Sequence, residues 1–147
     1  MKKGVLGIVI VIVLILAGLF LFANDSDKGE SNGVTPADVV IQNARLDAVG
    51  TYTGSGIAKS TYVDGEFVHT VNADIGDPAE GKFYEGWLVG SFGFVSTGKM
   101  VKEGDQYVLE FKSQEDMSSY KKVVITEETL ADGLDNSPEA HVLEGKF

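Results

Sequence analysis

The chain contains no cysteine, and that absence closes several routes at once. Without thiols there is no disulfide framework, no thiolate zinc site, no Cys-ligated copper centre and no anchor attached through a lipidated Cys. Bases are scarce: 12 Lys and Arg stand against 22 Asp and Glu. Two of those bases, Lys2 and Lys3, precede a long apolar run, so the chain beyond residue 23 keeps ten of the 12 against all 22 acids, a formal charge of -12. Such a surface repels phosphate, which excludes nucleic-acid binding, whose affinity comes from Lys and Arg. Only 2 histidines are present, a thin supply of ligands for a transition metal. A chain of 147 residues has room for one domain of ordinary size once a targeting segment is set aside.

What is present begins with Gly4 to Ala23, twenty uncharged residues rich in Val, Ile, Leu and Phe. As a helix they would span about 30 Å, the hydrocarbon thickness of a bilayer. Lys2 and Lys3 before the run, and Asp25, Asp27 and Glu30 after it, predict a cytoplasmic N-terminus and an external remainder. Residues 1–3 are then a cytoplasmic stub, 4–23 a single-pass membrane anchor, 24–35 a flexible tether with a reach of about 20 Å, and 36–147 an extracytoplasmic domain. A cleaved signal peptide, leaving a secreted domain, is the alternative. The apolar run exceeds the usual signal-peptide core, and no small-x-small cleavage site follows it.

From residue 36 onward, short extended segments alternate with turn signals, the pattern of an antiparallel sandwich or barrel. The expectation is an all-β, antiparallel β-sandwich of about seven to nine strands. Val39 to Ala48 reads as the first strand and Thr51 to Val63 as the second, with Gly54 and Gly56 marking a bulge or close approach. Asp64-Gly65 signals a type I′ hairpin. Phe67, His69, Val71, Ala73 and Ile75 then alternate with Glu66, Thr70, Asn72 and Asp74, broken only by Val68, as in a half-buried strand. The densest stretch is Phe83 to Met100, which holds the only Trp and several aromatics and glycines. Its two segments, Phe83 to Val89 and Phe92 to Met100, read as strands buried on both faces. Tyr107, Leu109 and Phe111 face inward, Val123 to Ile125 form another strand, and Ala140 to Phe147 closes the domain.

No constellation carries catalysis. Gly54 to Ser60 fails the phosphate-loop spacing, because Thr53 and Ala58 stand where glycines are needed. No G-x-S-x-G elbow links a Ser to a His, so no enzyme activity and no cofactor are expected. His69 and His141 are weak metal candidates, since imidazoles from neighbouring strands can converge on an ion. Asp132 and Asp135 lie in an oxygen-rich turn of the kind Ca²⁺ prefers, but the EF-hand spacing is missing and turns are built from the same residues. The expected metal is therefore none.

The stretches Tyr84-Glu85-Gly86-Trp87-Leu88-Val89, Ser96-Thr97-Gly98, Val123-Val124-Ile125-Thr126-Glu127-Glu128 and Ser137-Pro138 resemble the extracytoplasmic C-terminal domain of anti-sigma-K factors. In that family a Y-x-x-W-L-[IV] strand precedes a segment ending in Gly, then a [VF]-x-[IV]-T-x-E strand and a Ser/Pro turn. The resemblance covers about Phe67 to Phe147 and implies a sensor-like outer half. It departs at the N-terminus, where three residues precede the apolar run, so the sigma-binding activity of that family is not expected here. The expected function is a membrane-anchored binding or interaction module for an unidentified protein or envelope ligand. One alternative is transmembrane signalling with a separate cytoplasmic partner, and another is an envelope metal protein or enzyme.

Overall fold

The computed structural model describes residues 39–147. The stub, the anchor, the tether and the membrane contact through residues 4–23 lie outside the described residues. Among the described residues there is no helix, and nine strands account for the regular structure. They are β1 (Val40–Ala48), β2 (Ser55–Val63), β3 (Glu66–Asp74), β4 (Lys82–Gly90), β5 (Gly93–Lys99), β6 (Val101–Glu103), β7 (Gln106–Ser113), β8 (Lys122–Thr129) and β9 (Ala140–Lys146). All the pairings are antiparallel.

The expected all-β, antiparallel class holds, but the two-layer sandwich is corrected. The strands form one sheet in the order β5-β4-β8-β9-β1-β2-β3-β7-β6, curled into a nearly closed barrel. The reason lies in the two strands at its edges. β5 and β6 are consecutive in the chain, separated only by Met100. One edge therefore runs directly into the other, which cannot happen unless the sheet curls round on itself. Met100 is buried, and its N–H donates to Tyr84 O at 2.8 Å, carrying the β4 pairing to the point where the chain changes partner. Just before it, Thr97 is an extra residue between the pairs Trp87–Ser96 and Gly86–Gly98, a bulge of the sort that bends a strand at a barrel corner.

Local rules explain much of the rest. Asp64 and Gly65 both have positive φ, 51° and 82°, as a type I′ turn between β2 and β3 demands. Period-two alternation on β1, β2, β3 and β7 sends Leu46, Ala58, Phe67, Val71 and Leu109 inward. Inside they join Tyr84, Leu88, Val123, Ile125 and Leu143 in a single apolar core. β4 breaks the alternation, because Phe83 to Leu88 are all buried. Its inner face packs into the barrel and its outer face is covered by the β8–β9 connection. The expectation for the second half of the dense stretch is corrected: β5 is an edge strand, Phe92 is 106% exposed and Phe94 49%. The glycines around Phe92 place it at a hairpin tip instead of in a strand core.

The narrowest join in the wall is between β1 and β9, which share only Asp47–Glu144 and Ala48–Leu143. Gly145 permits the approach, since a Cβ there would lie 2.1 Å from Arg45 O and 2.6 Å from Leu46 Cδ2. Gly145→Ala is expected to lower stability by about 1–3 kcal/mol, the usual cost of overpacking, measured by urea denaturation. An unchanged midpoint would show that β1 and β9 are not held this close in solution.

Candidate functional site

On the outer face, alternate residues of β4 place Phe83, Glu85 and Trp87 in a row, and β8 contributes Val124, Thr126 and Glu128 beside them. Trp87 is 1% exposed; its Nε1–H donates to Thr126 Oγ1 at 2.7 Å, so its one polar atom is satisfied under cover. Phe94 of β5 meets the Trp87 ring edge-on, centroids 5.6 Å apart. The connection after β8 is fastened over this face by Glu139. Its carboxylate accepts from Thr129 N and from Lys82 Nζ, each at 2.9 Å, and its own N–H donates to Glu128 Oε1 at 3.0 Å. That latch brings Pro138 against the aromatic pair.

The result is a cleft of about 260 Å³ with Trp87 and Val124 beneath, Phe94 and Pro138 at the sides, and Lys122 and His141 at the rim. A larger hollow of about 560 Å³ lies over β1–β3 and is lined by Asn43, Arg45, Ile57 and Asn72. It is a more open surface without an aromatic, so the Trp87 cleft is the better-built site. Lys122 Nζ donates to Glu144 Oε2 at 2.7 Å, and Glu144 also pairs with His141 Nδ1. Burial pushes the Glu144 carboxyl up, but the hydrogen bonds from Lys122 and His141 outweigh it and hold the group below the ordinary carboxylate range. The rim thus joins a fixed cation, an anion and an imidazole within one small array.

Two acids lie buried behind the cleft, Glu85 at 1% and Glu128 at 2% exposure. Burial raises the Glu85 pKa against the lowering hydrogen bond from Ser96, and negative Glu128 and Asp135 add to the rise. Sequence pattern alone did not bring these two acids together. The available signal was a Glu inside an otherwise apolar strand. A buried carboxylate with a raised pKa resembles a general acid; the side chain that donates to it among the described residues is the Ser96 hydroxyl.

The sequence candidates are scattered. His69 points into the barrel and is fully buried, whereas His141 sits on the outer face beside the cleft, so the wall of the sheet separates the two imidazoles. Asp132 and Asp135 are exposed in the β8–β9 connection, where Asp135 Oδ1 accepts from Ser137 N at 2.9 Å in an ordinary Asx turn. Among the described residues no three His, Asp or Glu side chains converge to hold a metal. His69 belongs to an interior polar row instead. Gln42, Ser60 and His69 are cross-strand neighbours on β1, β2 and β3, and His69 Nδ1 lies 2.9 Å from Ser60 Oγ. Phe147 packs edge-on against the imidazole at 6.2 Å. Comparison with protein-family models, with curated proteins and with solved structures finds no match.

Trp87→Ala is expected to cost about 3–5 kcal/mol, as for large buried aromatics, and to lower the thermal midpoint accordingly. A near-native midpoint would place Trp87 in a solvent-open site. Burial lowers the His69 pKa to about 4 from an ordinary 6.5. Between those values the unfolded chain binds a proton that the folded chain refuses. Stability is therefore whole above pH 6.5 and falls as the pH drops towards 4, by about 3 kcal/mol from this group. Urea titrations at pH 7 and pH 4 should show that loss diminished by a similar amount in His69→Gln, and an equal loss in both proteins would refute the assignment.

Proposed function

We propose that the chain is a single-pass, membrane-anchored extracytoplasmic binding module, and that its partner is a protein segment taken at the β5 edge and the Trp87–Phe94 cleft. The observation that carries the site is an exposed aromatic on a strand edge that bears no charge or proline beside it. β5 ends the sheet on one side, and Gly93 to Gly98 contain no charge or proline, the residues that normally deter strand addition. An extended segment laid against β5 gains main-chain hydrogen bonds, while its alternate side chains reach the cleft. Lys122, Glu144 and His141 supply polar contacts at one end. The anchor and tether come from residues 4–35 of the sequence and set the module outside the membrane.

The likeness to the outer half of anti-sigma-K factors supports a sensory role within this reading. The residues that carry the likeness, among them Tyr84, Trp87, Leu88, Val123 and Ile125, are buried packing positions, so they favour no particular ligand. The site proposed above stands on Phe94 and the β5 edge instead.

Replacing Phe94 with a photo-reactive phenylalanine analogue in the full chain, expressed in its native membrane, is expected to yield a discrete protein adduct on irradiation. The same probe at Ile57, exposed on the β1–β3 side of the barrel, should yield none. Equal adducts from both positions, or none from Phe94, would remove the proposed site.

A further inference from the structure

The antiparallel order fixes which connections share an end of the barrel. β1 starts at the same end at which the β2–β3 and β4–β5 hairpins turn, β7 runs into residues 114–121, and β9 finishes. The chain therefore enters the domain at the end that carries the Ser91-Phe92 tip. Phe92 is 106% exposed, and Val39 and Ile41, where the chain enters, are 57% and 58% exposed. Nothing among the described residues covers them.

Charge is divided along the same axis. At the entry end Asp64, Glu66, Glu115 and Asp116 are matched by Lys112, Lys121, Lys122 and Lys146. At the opposite end, Asp77, Glu80, Glu103, Asp105, Asp132 and Asp135 outnumber Lys82, Lys99 and Lys102. An acidic domain held near anionic headgroups is pushed to point its acidic pole away, leaving the balanced end towards the lipid.

From these placements we infer that the entry end of the barrel rests on the outer surface of the bilayer, with Phe92 inserted among the headgroups and first acyl carbons. The inference rests on the reading of residues 4–23 as an anchor. Fifteen residues separate that run from Val39, a random-coil reach of about 20 Å, which puts the entry end within reach of the membrane. The tether also makes the contact intramolecular, so that an aromatic tip too weak to hold a free domain on lipid suffices for a tethered one. In this pose the acidic pole faces away from the lipid, while the β5 edge and the Trp87 cleft lie on the barrel side.

Because the chain lacks cysteine, a single Cys directs a nitroxide label to one position. The full chain is reconstituted into vesicles of phosphatidylcholine and phosphatidylglycerol carrying a label at Ser91→Cys or, at the far end, at Asp105→Cys. The label beside Phe92 is expected to collide several-fold less with an aqueous nickel complex than the far label. Adding Phe92→Ser, which removes an exposed side chain and leaves the core intact, should abolish that shielding. Equal nickel accessibility at the two positions in chains that withstand an alkaline carbonate wash overturns the docking and leaves the anchor standing. Shielding that survives Phe92→Ser also overturns the docking. Chains stripped from the vesicles by the wash overturn the anchor, and this inference with it.

Discussion

The fold depends on one change of partner at Met100. Upstream of it the strand belongs to β4; downstream it belongs to β7. Since β4 and β7 lie near opposite ends of the sheet order, one continuous stretch of chain must bridge both edges, and the sheet has to wrap. The bend is achieved by the extra residue Thr97 and by Gly98 at φ 100°, and it is pinned by the Met100 hydrogen bond to Tyr84. Inside the bend the space is tight: a Cβ on Gly86 would lie 2.6 Å from Thr97 Oγ1 and 2.9 Å from Leu109 Cδ1. The glycine is therefore part of the corner and not a weak point in β4.

That change of partner also makes the surface the binding proposal uses. A strand that must leave β4 for β7 cannot pair fully with both, so the first half of β5 keeps one free edge. Phe94 sits on this edge and leans on Trp87, whose indole is held by Thr126. The aromatic cleft is thus the outer consequence of a corner whose inner purpose is closure. Its cover, the β8–β9 connection, is secured mainly by charge-assisted bonds from Glu139, which are stronger than neutral ones.

Local chemistry made part of this visible in the sequence. The Asp64-Gly65 turn was legible because few residues tolerate two successive positive φ angles, and β3 because Phe67, His69, Val71 and Ala73 keep an alternation that only Val68 interrupts. Alternation tells which side chains share a face; it does not tell what lies against that face. Hence the apolar run of β4 was rightly read as buried twice, while its cover was not foreseen to be a loop. The run through Phe92 and Phe94 was misread for the same reason: aromatics in a strand edge and aromatics in a core have the same local pattern. The interior polar row of Gln42, Ser60 and His69 depends on register between three strands, and the metal candidates His69 and His141 fell on opposite faces of one wall. Register and closure are set by pairings distant in sequence, which leave no local trace.

The narrow β1–β9 join has a further meaning in time. β9 lies between β8 and β1, although every other strand precedes it in the chain. As the polypeptide is made from its N-terminus, β1, β2, β3 and β7 can pair early, and β4, β5 and β8 can assemble beside them. The gap between β8 and β1 nevertheless stays open until the final strand arrives to fill it. Bringing Glu144 to Asp47 closes a long loop of chain, a step whose entropic cost slows folding. Until then the edges of β1 and β8 are bare and can pair with the wrong strand. The barrel's slowest moment and its greatest exposure to misassembly therefore coincide, at the arrival of its last seven-residue strand.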